Sequence, residues 1–244
     1  MQEARKVIGV IPARLDSKRL PGKVLRPIAG KAMVHRVYES ARRSRRLHEL
    51  LVATDSGAVR EYCDRHDIPV AMTGQHPCGS DRLHEIMERT DGDIYVNIQG
   101  DEPTLRPEHL DLVLEPVLSG QAGVATLKVR IDEPSARDPN NVKVVTEERG
   151  RALYFSRCAI PYDRDGQGGV RYYKHIGMYA YTREMLARFH RLPQSLLEQA
   201  EKLEQLRFLE NGIPIVVAET PHDTIGVDTE ADLERVIAIF SSRE

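Results

Sequence analysis

Between residues 7 and 98, short β-branched apolar runs alternate with stretches of helical period, and this order constrains the fold more than any other feature of the chain. Residues 7–11 (VIGVI) show little polar alternation, which suits a strand covered on both faces of a sheet. Pro12 ends the run, and a loop punctuated by glycine and proline extends to about Gly30. Residues 33–41 then place Val34, Val37, Tyr38 and Ala41 on one helical face. Further strands are expected at 50–53, 69–72 and 93–98, with helices at 58–66 and 81–90 between them. The pattern is that of a parallel α/β sheet. Right-handed crossovers would bring the loops after Ile11, Ala53 and Ile98 to one sheet edge, where such sheets bind ligands.

Beyond residue 120 the character changes. Strands are expected at 122–129, 142–145, 178–181 and 213–217, with a polar glycine-rich turn at 163–169. Helices are expected at 183–189, 196–209 and 230–240, the second stopped by Asn211-Gly212. A chain of 244 residues can bury one substantial core, so residues 1–244 read as a single domain, with a lobe at roughly 128–181 over the sheet edge.

Charge and cysteines narrow the partners. A formal net charge of -2 gives no global field for nucleic acid or an anionic membrane, so any anion site must be local. The run Arg42, Arg43, Arg45, Arg46 falls at a helix end, where cations favour the dipole, and reads as a solvated face. Cys63, Cys78 and Cys158 form no CxxC pair, and His66, His84, His109, His190 and His222 lack metal-ligand spacing. No run approaches the roughly 18 apolar residues of a membrane span. A cytoplasmic protein with no nucleic-acid partner and no stable membrane association is the expectation.

Three clusters carry possible chemistry. The segment PARLDSKRLPGK (residues 12–23) gathers Arg14, Lys18, Arg19 and Lys23 after a core strand, with Gly22 to let backbone approach a ligand. It reads equally as a triphosphate cradle or a solvated basic turn, since neither a Walker loop nor a dinucleotide glycine pattern is present. Asp101 and Glu102, at the exit of a strand, could hold a magnesium ion or cap the helix that Pro107 opens. Asp228, just before the last helix, is a third acidic point whose simpler reading is that it or Thr229 is an N-cap.

Taken in order, VIPARLDSKRLPGK, HPCGSDR, VNIQGDEP, NVKVV, ALYFSR, HIGMYAY, LEQLRFLENG and GVDTEADLERV resemble the 3-deoxy-manno-octulosonate cytidylyltransferases, also called CMP-Kdo synthetases. The resemblance runs from Val7 to about Val236. It implies a Rossmann-like, mostly parallel nucleotidyltransferase sheet with a smaller sugar-binding and dimerisation lobe, assembled as a homodimer. It implies that CMP is transferred from CTP to 3-deoxy-D-manno-octulosonate (Kdo), giving CMP-Kdo and pyrophosphate for lipopolysaccharide. Arg14 and Lys23 are then implied as triphosphate and catalytic residues, and Gly79, Ser80, Asp81, Arg82 and Gln99 as nucleotide contacts. Asp101 (also catalytic) and Asp228 are implied as Mg²⁺ ligands. Arg157, His175, Tyr179, Glu204 and Gln205 are implied as the acidic-sugar site, with Arg157 facing the carboxylate. Ser80 stands where the family pattern has threonine, which keeps the hydroxyl.

Overall fold

A computed structural model describes residues 5–17, 19–76, 78–166 and 168–242. The chain forms two compact units, Met1–Asp111 with Thr224–Glu244, and Leu112–Asp223. The lobe expected at 128–181 lies inside the second.

The first unit opens with β1 (Val7–Pro12), buried along its length up to Pro12. After the basic loop and a 3-10 turn at Lys23–Leu25 come β2 (Pro27–Ile28) and β3 (Lys31–Ala32), which form a tight hairpin turned by Ala29 and Gly30 at positive φ. Then follow α1 (Met33–Ala41), β4 (Glu49–Thr54), α2 (Gly57–Arg65), β5 (Val70–Met72), α3 (Gly79–Glu88) and β6 (Ile94–Asn97). β1 pairs in parallel with β4 on one side and β6 on the other, and β4 pairs in parallel with β5. Pro12 stands opposite Ala53 and Val10 opposite Asn97, so the strand ends align and their loops leave on the expected edge. The chain passes to the second unit within α4 (Pro107–Leu118).

In the second unit, β7 (Val124–Ile131) is followed by the short helix α5 (Glu133–Arg137), β8 (Lys143–Thr146), β9 (Ala152–Ser156) and β10 (Tyr172–Thr182). Then come α6 (Arg183–Arg191), α7 (Leu196–Glu201), α8 (Leu206–Glu210) and β11 (Val216–Thr220). β7 pairs antiparallel with β10 and parallel with β11, and β8 pairs antiparallel with β9 and β10. The whole is the mixed α/β class expected.

The structure departs from three expectations. The strand placed at 178–181 extends back to Tyr172, because its polar residues Lys174 and His175 are carried in the ladder opposite Val129 and Lys128. The strand placed at 213–217 runs instead over Val216–Thr220. The single helix expected at 196–209 is broken at Lys202, which adopts the left-handed conformation (φ 55). The reason is a buried ion pair. Arg207 Nε donates to Glu198 Oε2 at 2.7 Å. In one continuous helix, nine residues would separate the two by about 13 Å along the axis, so the chain must double back for the pair to close.

The chain returns to the first unit with α9 (Glu230–Ser241). Leu233 and Val236 of α9, with Val227, pack against Leu20, Ile28 and Met33. This apolar contact fastens the C-terminal segment under the basic loop and decides where Asp228 sits.

Candidate active site

Within the first unit, the loop after β1, the turn after β6 and the start of α3 crowd together. A Cβ on Gly100 would lie 2.7 Å from the Pro12 carbonyl oxygen, so only glycine allows this approach. A Cβ on Gly79 would lie 3.4 Å from Pro12 Cγ and 3.5 Å from Asn97 Nδ2. The helix expected from residue 81 begins at Gly79, with Cys78 as its N-cap, and this puts Gly79, Ser80 and Asp81 in its first turn. Backbone N–H groups at such a terminus are donors suited to anions.

Lys23 is the centre of the cluster. Gly22, at φ 65, turns the chain so that the Lys23 side chain is buried. Its Nζ lies 2.6 Å from Asp101 Oδ2 and 2.9 Å from Asp228 Oδ1. Burial works against its charge, but Asp101 and then Asp228 outweigh it and hold the pKa above the ordinary lysine value. The outer oxygen of Asp228 meets Arg19 Nη2 at 2.9 Å. The backbone holds the two carboxylates in place: Val227 N donates to the Asp101 carbonyl at 2.9 Å, and Ile225 N to Thr104 Oγ1 at 2.7 Å. The N-cap of α9 is Thr229, in a reciprocal capping box with Asp232, and Asp232 also accepts from Asp228 N. Relieved of capping, the Asp228 carboxylate is available to a cation.

The other predicted nucleotide contacts differ in availability. Arg14 is exposed and has no hydrogen bond or ion pair among the described residues, which leaves it a free cation at the loop. Lys18 lies outside the described residues. Arg82 is buried and engaged: Nη1 donates to Thr73 Oγ1, and Nη2 lies 3.3 Å from Asp55 Oδ1. It therefore clamps α3 to the ends of β4 and β5. Gln99 is half-buried beside Gly100. The residue that sequence reasoning passed over is Asn97, buried at the end of β6, whose Oδ1 has no hydrogen-bond partner. A lone amide closing an otherwise apolar buried strand was the available signal.

Asp101 and Asp228 are two carboxylates that share the Lys23 ammonium. Among the described residues no group of three or more His, Cys, Asp or Glu side chains could hold a metal. A pair suits Mg²⁺, which takes one or two carboxylates and completes its shell with phosphate oxygens and water.

The second unit collects the predicted sugar residues. A bulge in β10 between Ile176 and Tyr179 is plugged by Thr126, whose hydroxyl donates to the Met178 carbonyl at 2.8 Å. With its hydrogen spent there, Thr126 Oγ1 accepts from His175 Nε2 at 3.0 Å, which makes Nε2 a protonated ring nitrogen. Burial drives the His175 pKa down to about 3. Tyr179 is buried beside it with no hydrogen-bond partner for its hydroxyl, although Thr126 is close, and burial pushes its pKa well up. Gln205 is buried with Nε2 also unpartnered, and Glu204 is half-buried next to it. Arg157 is gripped on three sides: its N donates to Glu201 Oε2 at 2.9 Å, Nε to the Glu201 carbonyl at 2.8 Å, and Nη1 to the Pro139 carbonyl at 3.1 Å. Two orphaned buried donors and a guanidinium with Nη2 to spare suit an oxygen-rich anionic ligand.

A parallel sheet edge with a cation-rich loop and a carboxylate pair defines a nucleotidyltransferase-type site. The family model described as Cytidylyltransferase matches residues 8–218. The 3-deoxy-manno-octulosonate cytidylyltransferase of Koribacter versatilis is 53% identical over 98% of this chain and 91% of its own length. That of Acidobacterium capsulatum is 51% identical over 98% of both. A solved CMP:2-keto-3-deoxy-manno-octonic acid synthetase complexed with CTP shares 44% identity and superposes with a TM-score of 0.94, covering 98% of this chain and 100% of that one. The chain belongs to the 3-deoxy-manno-octulosonate cytidylyltransferase family.

Proposed function

We propose that this protein transfers CMP from CTP to Kdo, releasing pyrophosphate and supplying CMP-Kdo for lipopolysaccharide, through the residues described above. The observation that carries the reading is Lys23 held between Asp101 and Asp228 on a loop that also presents Arg14. The anomeric hydroxyl oxygen of the sugar bonds to the α-phosphorus of CTP, the bond to the β-phosphate oxygen breaks, and the hydroxyl proton passes to solvent. Both reactants are anions, so the chain must supply charge neutralisation and alignment instead of a covalent nucleophile.

Arg14 and Lys23 bind the triphosphate and stabilise the charge that grows on the leaving pyrophosphate. The first turn of α3, with Gly79, Ser80 and Asp81, donates to the nucleotide, Arg82 holds that turn in place, and Gln99 lies beside the base. Asp101 and Asp228 would hold Mg²⁺ when Lys23 turns to phosphate. Bound there, the metal would neutralise phosphate charge and lower the pKa of the attacking hydroxyl. Arg157 takes the sugar carboxylate, Tyr179 and Gln205 donate to its hydroxyls, Glu204 accepts from them, and neutral His175 frames the pocket.

The working assembly is a homodimer in the cytoplasm. Leu153, Tyr162 and Leu196 of the second unit, 63%, 84% and 81% exposed, are the apolar side chains we assign to the contact between protomers. Among the described residues no helix is long and apolar enough to cross a membrane. The test of the function is pyrophosphate release from CTP with Kdo and with its 8-amino analogue; release with the analogue alone would move the substrate assignment.

A further inference from the structure

Lys143 is fully buried in the second unit, yet among the described residues its ammonium pairs with no carboxylate. Its ammonium donates to three backbone carbonyls, those of Asp138 at 2.9 Å, Asn141 at 2.5 Å and Arg157 at 2.6 Å. Three donors on three acceptors satisfy the ammonium completely, which is what burial of a charge demands. The acceptors are informative. One belongs to Arg157 itself, and the other two flank Pro139, whose carbonyl receives Arg157 Nη1. Lys143 thus fixes both the backbone that carries Arg157 and the surface against which its guanidinium leans.

Glu201 grips the same residue from the other direction. Its carboxylate accepts from Arg157 N at 2.9 Å and from Ser156 Oγ at 2.5 Å, and its carbonyl accepts from Arg157 Nε at 2.8 Å. A free arginine side chain spreads over many rotamers, whereas recognition of a carboxylate requires its planar fork to be held to within about half an ångström. With Nε and Nη1 tied to carbonyls, Nη2 is the guanidinium nitrogen left without a partner among the described residues.

We propose that Lys143 and Glu201 are positioning residues for the acidic acceptor: between them they lock Arg157 so that Nη2 is presented to the sugar carboxylate. The inference rests on the reading of Arg157 given above. A double-mutant cycle tests it, with KM for Kdo and for CTP measured separately in Lys143→Met, Glu201→Gln, Arg157→Ala and the two doubles. Each single positioning variant should raise KM for Kdo about tenfold and leave KM for CTP within twofold. Neither should add more than about twofold to Arg157→Ala. If Lys143→Met fails to fold, Glu201→Gln, which keeps size and shape, reads the same lock. Equal effects on both substrates, an unchanged KM for Kdo, or full additivity with Arg157→Ala would overturn the positioning role. If Arg157→Ala itself leaves KM for Kdo unchanged, the assignment of Arg157 fails and this inference with it.

Discussion

Lys23 and Asp228 stand 205 positions apart in the chain, yet Lys23 Nζ lies 2.9 Å from Asp228 Oδ1, and the same ammonium reaches Asp101 at 2.6 Å. The meeting is arranged by packing: α9 buries Leu233 and Val236 against the loop that carries Lys23. One lysine therefore occupies the two carboxylates proposed for the metal, and the proposed function requires it to exchange them for phosphate when nucleotide and Mg²⁺ arrive.

That exchange predicts a divided effect for Lys23→Met. Lysine and Mg²⁺ compete for the same oxygens, so without CTP the variant should bind Mg²⁺ several-fold more tightly than the unaltered protein, by calorimetric titration. Its kcat/KM should nevertheless fall at least about a hundredfold, because a charge contact to the transition state is lost. Weaker Mg²⁺ binding in the variant would contradict the competition.

Asp101→Asn keeps the size of the side chain and removes its charge. Turnover should drop by about a hundredfold or more, with the circular dichroism spectrum unchanged. A normal rate with ordinary Mg²⁺ dependence would remove Asp101 from the metal site.

Tyr179→Phe separates a ligand contact from a structural one. The hydroxyl is buried without a partner, so deleting it should leave stability to urea unchanged or raise it by up to about 1 kcal/mol. KM for Kdo should rise about tenfold. A loss of stability with unaltered KM would assign the hydroxyl to the fold.

His175 gives a pH dependence with a definite sign. Its folded pKa, about 3, lies below the unfolded value near 6.5. Below pH 6.5 the unfolded chain binds a proton that the folded chain refuses, so stability is lost as pH falls from about 6.5 towards 3. The slope approaches about 1.4 kcal/mol per pH unit for this one group. His175→Asn should flatten urea-unfolding stability between pH 6 and 4, and the rate profile should show no ionisation of His175 near neutrality.

The first half of the fold was legible because its signals are local. The helix at Met33–Ala41 coincides with its expected span, and the buried β-branched strands declare themselves without help from distant residues. The second unit was read less well because its determinants are tertiary. Lys174 and His175 look wrong for a buried strand until Thr126 fills the bulge, and 196–209 looks like one helix until Glu198 and Arg207 close their pair. The strand Ala152–Ser156 was not foreseen, since its one strongly exposed residue, Leu153 at 63%, is apolar and leaves no polar alternation to read in the sequence. At the site, the motif residues could be named one by one, but not that Lys23 would sit between the two carboxylates. Nor could the grip of Lys143 and Glu201 on Arg157 be foreseen, because carbonyl acceptors leave no mark in a sequence.

The most direct test of the account is an initial-rate measurement of pyrophosphate release from CTP, Mg²⁺ and Kdo, with the sugar product identified by mass. The account predicts stoichiometric pyrophosphate and CMP-Kdo, with no release when Kdo is omitted. Binding of CTP with no pyrophosphate in the presence of Kdo would contradict it.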